Sequence, residues 1–321
     1  MARYIELLRL GFSEGPGRED TVDSLLRAAR LYERFFLVWK CLSFLQLFPN
    51  IIPEIFVCEI DGQVVGAHAS RRRGNRKGPF SGVHVAVDPA FRKQGIAYRM
   101  FSHRVSILDP SKVHFGLAKV REENEPQIKN IKKIGGHFYA RQMRFSLDPD
   151  SWYRALHSEI GKGIENPSLT IKGAVLCRPK WAEIRDIKAR ETPEEVRRID
   201  PVSIFPFGRP PDLSTFLINL FLTRHKWKGG VKIDGQLVAC GILFYDRLQR
   251  SYELDLSALP RAKNAVYFLL RKLIQHISKR PKAPINVVVR DYQQSVVEAL
   301  EETDLFSIKG RYLLDCKKMK I

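Results

Sequence analysis

Arg92-Lys93-Gln94-Gly95-Ile96-Ala97 joins a strand to a helix, and its reading decides the fold. Upstream, Gly82-Val83-His84-Val85-Ala86-Val87 alternates small and β-branched residues as a buried strand does, and Asp88-Pro89 ends it by removing a donor and setting φ. Downstream, Tyr98, Phe101, Val105 and Leu108 recur at helical spacing. A helix opening at Gly95 presents unpaired N–H groups and the positive end of its dipole. Small residues at 95 and 97 let a diphosphate approach the backbone closely. The stretch reads as a phosphate cradle that needs no P-loop lysine.

Further out, Ile55-Phe56-Val57-Cys58-Glu59-Ile60, Asp61-Gly62 and Gln63-Val64-Val65-Gly66-Ala67 read as a hairpin closed by a two-residue turn that favours positive φ. Val113-His114-Phe115-Gly116-Leu117 reads as a further strand, followed by Asn124 and a helix ending at Ile134-Gly135. Arg92, Gly95 and Ala97 fit the Q/R-x-x-G-x-G/A signature of the GCN5-related N-acetyltransferases (GNAT), which follows a strand ending in Val-x-Pro, here Val87-Asp88-Pro89. In that family an Asn opening the later helix stands eleven residues before the Gly of a Leu-Gly-Phe-like ending, the separation of Asn124 and Gly135. Residues 1 to 148, roughly, resemble the family; a short Gly pattern gains specificity from this strand and helix context.

The resemblance implies that acetyl-CoA or another acyl-CoA lies in the splay between the strands at 83–87 and 113–117. Val85 and Val87 would pair with the pantetheine arm through their backbone. The amides of Lys93, Gln94, Gly95, Ile96, Ala97 and Tyr98, beside Arg92, would hold the diphosphate, and Asn124 would contact the pantetheine side. The implied fold is α/β (α+β), with two tandem GNAT-like domains, each a mixed, mostly antiparallel sheet flanked by helices.

The second domain rests on an internal repeat. Ile60-Asp61-Gly62-Gln63-Val64-Val65 recurs 173 residues later as Ile233-Asp234-Gly235-Gln236-Leu237-Val238. Around it read a hairpin over 229–233 and 237–245, a strand over 251–259, a helix over 266–277, a β-branched strand over 285–289, a helix over 294–301 and a closing strand over 312–316. Where the first copy has 92–97, the second has Leu259-Pro260-Arg261-Ala262-Lys263-Asn264-Ala265-Val266, with no glycine to bring phosphate against the backbone. The expected division is a cofactor-binding domain over 1–148, a linker over 149–168 marked by Pro, Gly and Asn, and a degenerate domain over 169–321. The apolar, proline-rich stretch 204–211 reads as packing against a neighbouring helix.

The chain has 321 residues, 44% of them hydrophobic, which favours two domains and excludes a disordered composition. The apolar run from Phe35 to Phe48 contains Lys40 and Gln46, falls short of the ~20 residues of a membrane span and reads as a buried helix. The N-terminus carries no secretory pattern, and Cys41, Cys58, Cys177, Cys240 and Cys316 are scattered and odd in number, so a cytoplasmic protein with reduced thiols is expected. The formal charge of +19 is spread over the chain: 24 Lys+Arg against 16 Asp+Glu in residues 1–150, and 30 against 19 in residues 151–321. That pattern fits a solvated surface or a broad anion-attracting field. Arg71-Arg72-Arg73-Gly74-Asn75-Arg76-Lys77 reads as a hairpin tip and lacks the aromatics that single-strand binders interleave.

Acyl transfer to an amine needs a base for the ammonium proton and a proton for the departing thiolate. His84, three residues before Val87, has a reference pKa near 6.5 that suits the base; a strand histidine bonded to a neighbour explains it equally. His68, Glu122 and Glu123 rank lower. The family's tyrosine near the sulfur falls here on Ile131, leaving Tyr98 and Tyr139 as distant substitutes. Metal-ligand spacings and a Gly-x-Ser-x-Gly elbow are missing from the sequence, so direct transfer in a ternary complex is expected, with no metal. The expected acceptor is an amine-bearing small molecule or peptide, with no membrane partner, on a monomer or homodimer. The alternatives are a non-catalytic acyl-CoA-binding module and an acetyltransferase associated with nucleic acid or the ribosome.

Overall fold

The computed structural model describes residues 6–7, 54–72, 80–108, 115–151, 173–204, 223–246, 250–277, 280, 282–303 and 305–318. They fall into two compact units, one of Met1–Tyr139 with Leu313–Ile321 and one of Ala140–Tyr312. The expected segments 35–48 and 205–211, most of 149–168 and the tip at 73–79 lie outside the described residues.

The first unit begins with β1 (Glu54–Ile60) and β2 (Gln63–Arg72), joined by Asp61 and Gly62 at φ 48° and 74°. Two successive positive φ values give the turn that matches the twist of a tight hairpin. β3 (Phe80–Val87) pairs antiparallel with β2 from Arg72↔Phe80 to Gly66↔Val87, with one extra residue, Val83, bulged out of the ladder. Helix α1 (Ile96–Ser106) then packs over β1, β2 and β3, its buried Ile96, Met100 and Arg104 recurring every fourth residue. β4 (Phe115–Arg121), α2 (Glu125–Lys133) and the first residues of β5 (His137–Leu147) follow. Val65, Ile96 and Met100 form the core under α1, and Leu7, Ala67 and Ala86 form a second cluster.

The second unit repeats that order. β6 (Ala174–Cys177), α3 (Trp181–Glu191) and α4 (Glu194–Ile199) lead into β7 (Thr223–Ile233) and β8 (Gln236–Asp246). Asp234 and Gly235 close the β7–β8 hairpin at φ 49° and 78°, the same turn as in the first copy. β9 (Ser251–Ala258), α5 (Lys263–Ile277), β10 (Ile285–Arg290), α6 (Gln294–Glu302) and β11 (Ser307–Lys318) complete it. In β9, Leu254, Leu256 and Ala258 enter the main core with Leu269, Leu270 and Leu273 of α5. Alternate residues turn the other way, and Asp255 meets Lys188 of α3 at 2.6 Å.

Both units are mixed, mostly antiparallel sheets flanked by helices, as expected. Their limits differ from the expected 1–148 and 169–321, because two long strands each serve both units. Residues 142–147 pair antiparallel with 285–290, and Met143, Phe145 and Leu147 lie in the core of the second unit. Residues 313–318 of β11 belong to the first unit. A strand needs a partner along each buried edge, and sequence periodicity does not say which copy supplies it.

Candidate functional site

In the first unit the parallel ladder between β3 and β4 registers, among the described residues, at Phe80↔Gly116 and Ser81↔Leu117, and the two strands continue to Val87 and Arg121 without further ladder pairing. The Asp88 amide donates to the Val65 carbonyl at 2.8 Å, so the main-chain groups of Asp88, Ala86 and His84 point toward β2. By the two-residue period of a strand, those of Val87 and Val85 point the opposite way, into the splay. Arg92 Nε donates to the Val87 carbonyl at 3.4 Å and so reaches that side.

The turn into α1 is held by its own contacts. Asp88 caps the short 3₁₀ turn at Pro89–Phe91 by accepting the Ala90 amide at 3.0 Å, and Arg99 donates to the Gln94 carbonyl at 3.3 Å. Lys93 and Gly95 take φ 65° and 75°. A Cβ on Gly95 would meet nothing within 4 Å, so it is the φ that favours glycine, and the space beside it is open. The Gly95 carbonyl accepts the Arg99 amide, and helix geometry leaves the amides of Ile96, Ala97 and Tyr98 without intrahelical acceptors. At Gly66 a Cβ would come within 3.0 Å of Ile96 Cγ2 and Met100 Cε. Gly66 therefore lets the opening turn of α1 sit directly on β2.

The other candidate residues are distributed as follows. Arg92, Lys93, Gln94 and Tyr98 are exposed, Ile96 is buried and Ala97 half-buried. Asn124 is exposed at the N-cap of α2, where Oδ1 accepts the Gln127 amide at 3.2 Å. His84 pairs with Ala69 on β2, one residue before Val85; its side chain lies outside what is described. Ile131 is fully buried in α2. His68 is buried beneath α1, 5.2 Å from the Phe101 ring and 6.5 Å from Phe56. Burial, helped by the Arg104 guanidinium, lowers its pKa to about 4, which makes it a neutral core imidazole at neutral pH.

The second unit has the same plan with different contents. The Leu259 amide donates to the Val238 carbonyl at 2.8 Å, as Asp88 does to Val65, and each donor is followed by proline. Ala258 and Leu256 thus correspond to Val87 and Val85, and Gln293 before α6 corresponds to Asn124 before α2. The ladder of β9 with β10 registers from Tyr252↔Ile285 to Leu254↔Val287, and β9 continues to Ala258. At that splay the Ala258 amide donates to Glu191 Oε1 at 3.1 Å, and Gln293 Nε2 donates to Glu191 Oε2 at 2.9 Å and to the Leu256 carbonyl at 3.1 Å. Burial raises the Glu191 pKa to about 7 against the opposing pull of Lys188 and these donors. Burial alone would lower the Lys188 pKa, but the Asp255 and Glu191 carboxylates outweigh it and raise it. Sequence reading located the divergence of this copy at 259–266 and missed Glu191 and Gln293. The available signal was Gln293, standing before its helix as Asn124 does.

Among the described residues no group of three or more His, Cys, Asp or Glu is placed to hold a metal ion, and no helix is long and apolar enough to cross a membrane. Cys58, Cys177, Cys240 and Cys316 are free thiols.

Comparison with known proteins bears on this geometry. The acetyltransferase (GNAT) family profile matches residues 27–135. No curated protein sequence matches the chain. Among solved structures, a tandem GNAT protein from the clavulanic acid biosynthesis pathway has a TM-score of 0.58 at 15% identity, with 100% of this chain and 95% of that one covered. A glucosamine N-acetyltransferase region of a fungal multi-domain β-N-acetylglucosaminidase has a TM-score of 0.59 at 12% identity, covering 98% of this chain and 36% of that one. A candidate acetyltransferase from Pyrococcus horikoshii reaches 0.51 at 13% identity, over 99% and 85%. At these identities the likeness is one of fold. The chain has the tandem GNAT fold, and residues 27–135, within its first unit, match the profile of the GNAT acetyltransferase family.

Proposed function

We propose that the first unit binds an acyl-CoA, acetyl-CoA in the first instance, and transfers the acyl group directly to an amine acceptor. The observation that carries this reading is the juxtaposition of a splayed strand pair with an open helix N-terminus. Val85 and Val87 turn a row of main-chain donors and acceptors into the splay, which suits the amides of a pantetheine arm. Immediately beyond, the positive end of α1 suits a diphosphate, with Arg92, Lys93 and Arg99 exposed around it. Asn124 stands at the end of β4 on the far side of the splay.

In this reading the amine lone pair attacks the thioester carbonyl, the carbon–sulfur bond breaks, and the thiolate leaves with the former donor. His84 is the candidate acceptor for the ammonium proton, and the strand places its backbone next to Val85. The second unit is a degenerate copy. A second reading, a module that holds acyl-CoA without turnover, draws on Ile131: the position where the family places a tyrosine is a fully buried isoleucine.

Calorimetry and thermal shift with acetyl-CoA, followed by thiol release on a panel of small amines and peptides, test both readings. Gly95→Glu should abolish the shift, and Gly95→Ala, which adds no charge and meets open space, serves as the control for backbone strain. Equal stabilisation of wild type and Gly95→Glu refutes the cofactor assignment. Binding without thiol release across the panel selects the non-catalytic module.

A further inference from the structure

The two copies differ in what faces the open side of the third strand. In the first, the main chain at Val85 and Val87 is turned to a splay that we assign to a ligand. In the second, the corresponding Leu256 carbonyl and Ala258 amide are already engaged by Gln293 Nε2 and Glu191 Oε1, each at 3.1 Å. Glu191 and Gln293 are joined by a 2.9 Å bond and both are buried. The Gln293 carbonyl oxygen is held in turn by the Arg290 amide at 2.9 Å. One fixed donor and one fixed acceptor thus cover an acceptor and a donor on β9, which is the pattern an amide-bearing arm would present to that edge.

The surroundings hold the pair in place. Glu191 ends α3, and Lys188, less than one turn earlier, is tied to Asp255 on the neighbouring face of β9 at 2.6 Å. The entry to α5 offers no replacement for the first copy's cradle. Leu259 to Lys263 spans four steps where Asp88 to Ile96 spans eight, Arg261 takes φ 65° as Lys93 does but no glycine follows it in the place of Gly95, and Ser295 Oγ donates to the Leu259 carbonyl at 3.1 Å. A strand edge left with unsatisfied main-chain groups in a buried groove is costly, and these two side chains remove that cost.

We infer that the second unit is self-ligated: Glu191 and Gln293 occupy the place of a pantetheine arm, so that this copy takes no acyl-CoA and the chain takes one per polypeptide. Only the identity of the displaced ligand rests on the reading of the first unit.

Hydrogen exchange on the full chain with and without acetyl-CoA is the first test. Protection should rise over residues 83–98 and stay unchanged over 254–266; a rise over 254–266 overturns the inference. The second test uses pantetheine alone, on Glu191→Ala in a Gly95→Glu background. Truncation bares the Ala258 amide and the Gln293 side chain, so pantetheine should raise Tm and protect 254–266 in the double variant and leave the Gly95→Glu parent unmoved. A folded double variant that pantetheine does not stabilise, or equal stabilisation of both proteins, overturns self-ligation. Should Glu191→Ala fail to fold, Gln293→Ala bares the Leu256 carbonyl and is read against the same criteria. If acetyl-CoA protects neither region while pantetheine stabilises the opened second unit, the reading of the first unit fails and self-ligation stands.

Discussion

Replacing Glu191 by Gln should change how stability depends on pH, and the size of the change follows from its surroundings. The carboxyl is 9% exposed, and its pKa stands at about 7 in the folded chain against an ordinary value of 4.5. Between these values the unfolded chain has released the proton while the folded chain still holds it. Stability from this group is therefore complete below pH 4.5 and is lost as pH rises toward and through 7. A pKa difference of about 2.5, at about 1.36 kcal/mol for each unit, amounts to roughly 3 kcal/mol. The Glu191→Gln side chain is neutral at every pH and lacks that slope. The altered hydrogen bond to Gln293 shifts the whole curve by a constant, which cancels when slopes are compared. Urea denaturation from about pH 4.5 to 8, read by circular dichroism and by hydrogen exchange over 251–258, measures it. The variant should gain about 3 kcal/mol on wild type across that range, roughly 6–12 °C in Tm for a unit of this size. Parallel curves, differing in slope by less than about 1 kcal/mol over the range, would refute the claim that Glu191 is a buried carboxyl held by Ala258 and Gln293.

Three further outcomes are expected. Gly66→Ala places a methyl 3.0 Å from Ile96 and Met100; it should cost about 1–3 kcal/mol by overpacking and weaken acetyl-CoA binding by displacing the start of α1, which calorimetry and titration separate. His68, with its pKa lowered to about 4, should resist protonation until well below pH 6, so wild-type stability falls as pH drops from about 6.5 toward 4 and His68→Leu loses that fall; an imidazole NMR titration with a midpoint above 6 would contradict the core placement. Lys188→Met leaves Asp255, 10% exposed, without its 2.6 Å partner and should cost about 3–5 kcal/mol, whereas Lys188→Met with Asp255→Leu should recover most of it; a double variant as unstable as the single one would show that the pair is not the cause.

Much of this architecture was legible in the residues. Asp-Gly between alternating strands predicted both hairpins, because a turn with two positive φ values matches the twist of strands joined in two residues. Pro89 marked the end of the third strand in the first copy, and the helices at 96 and 263 began within a few residues of their expected starts. Those signals are local: φ preference, side-chain period and capping act over a few residues and survive in one dimension. Asn124 and the Gly95 turn were readable for the same reason.

What pairs with what across the chain was not readable. Residues 137–147 fall in the expected first domain, yet Met143, Phe145 and Leu147 complete the core of the second unit, because a period-two pattern specifies a buried face and leaves the partner strand open. His68 illustrates the same limit: ranked below His84 as a base, it stayed a candidate until its burial between Phe101 and Phe56 removed it from solvent. Glu191 lies 67 residues from the amide it accepts and 102 from the glutamine that donates to it. No local preference links such positions. The sequence by itself determined two copies of one fold, with a helix opening suited to an anion in the first. Tertiary structure alone decided that the groove of the second is closed by its own side chains, since a main-chain donor is satisfied by whatever folding brings within reach.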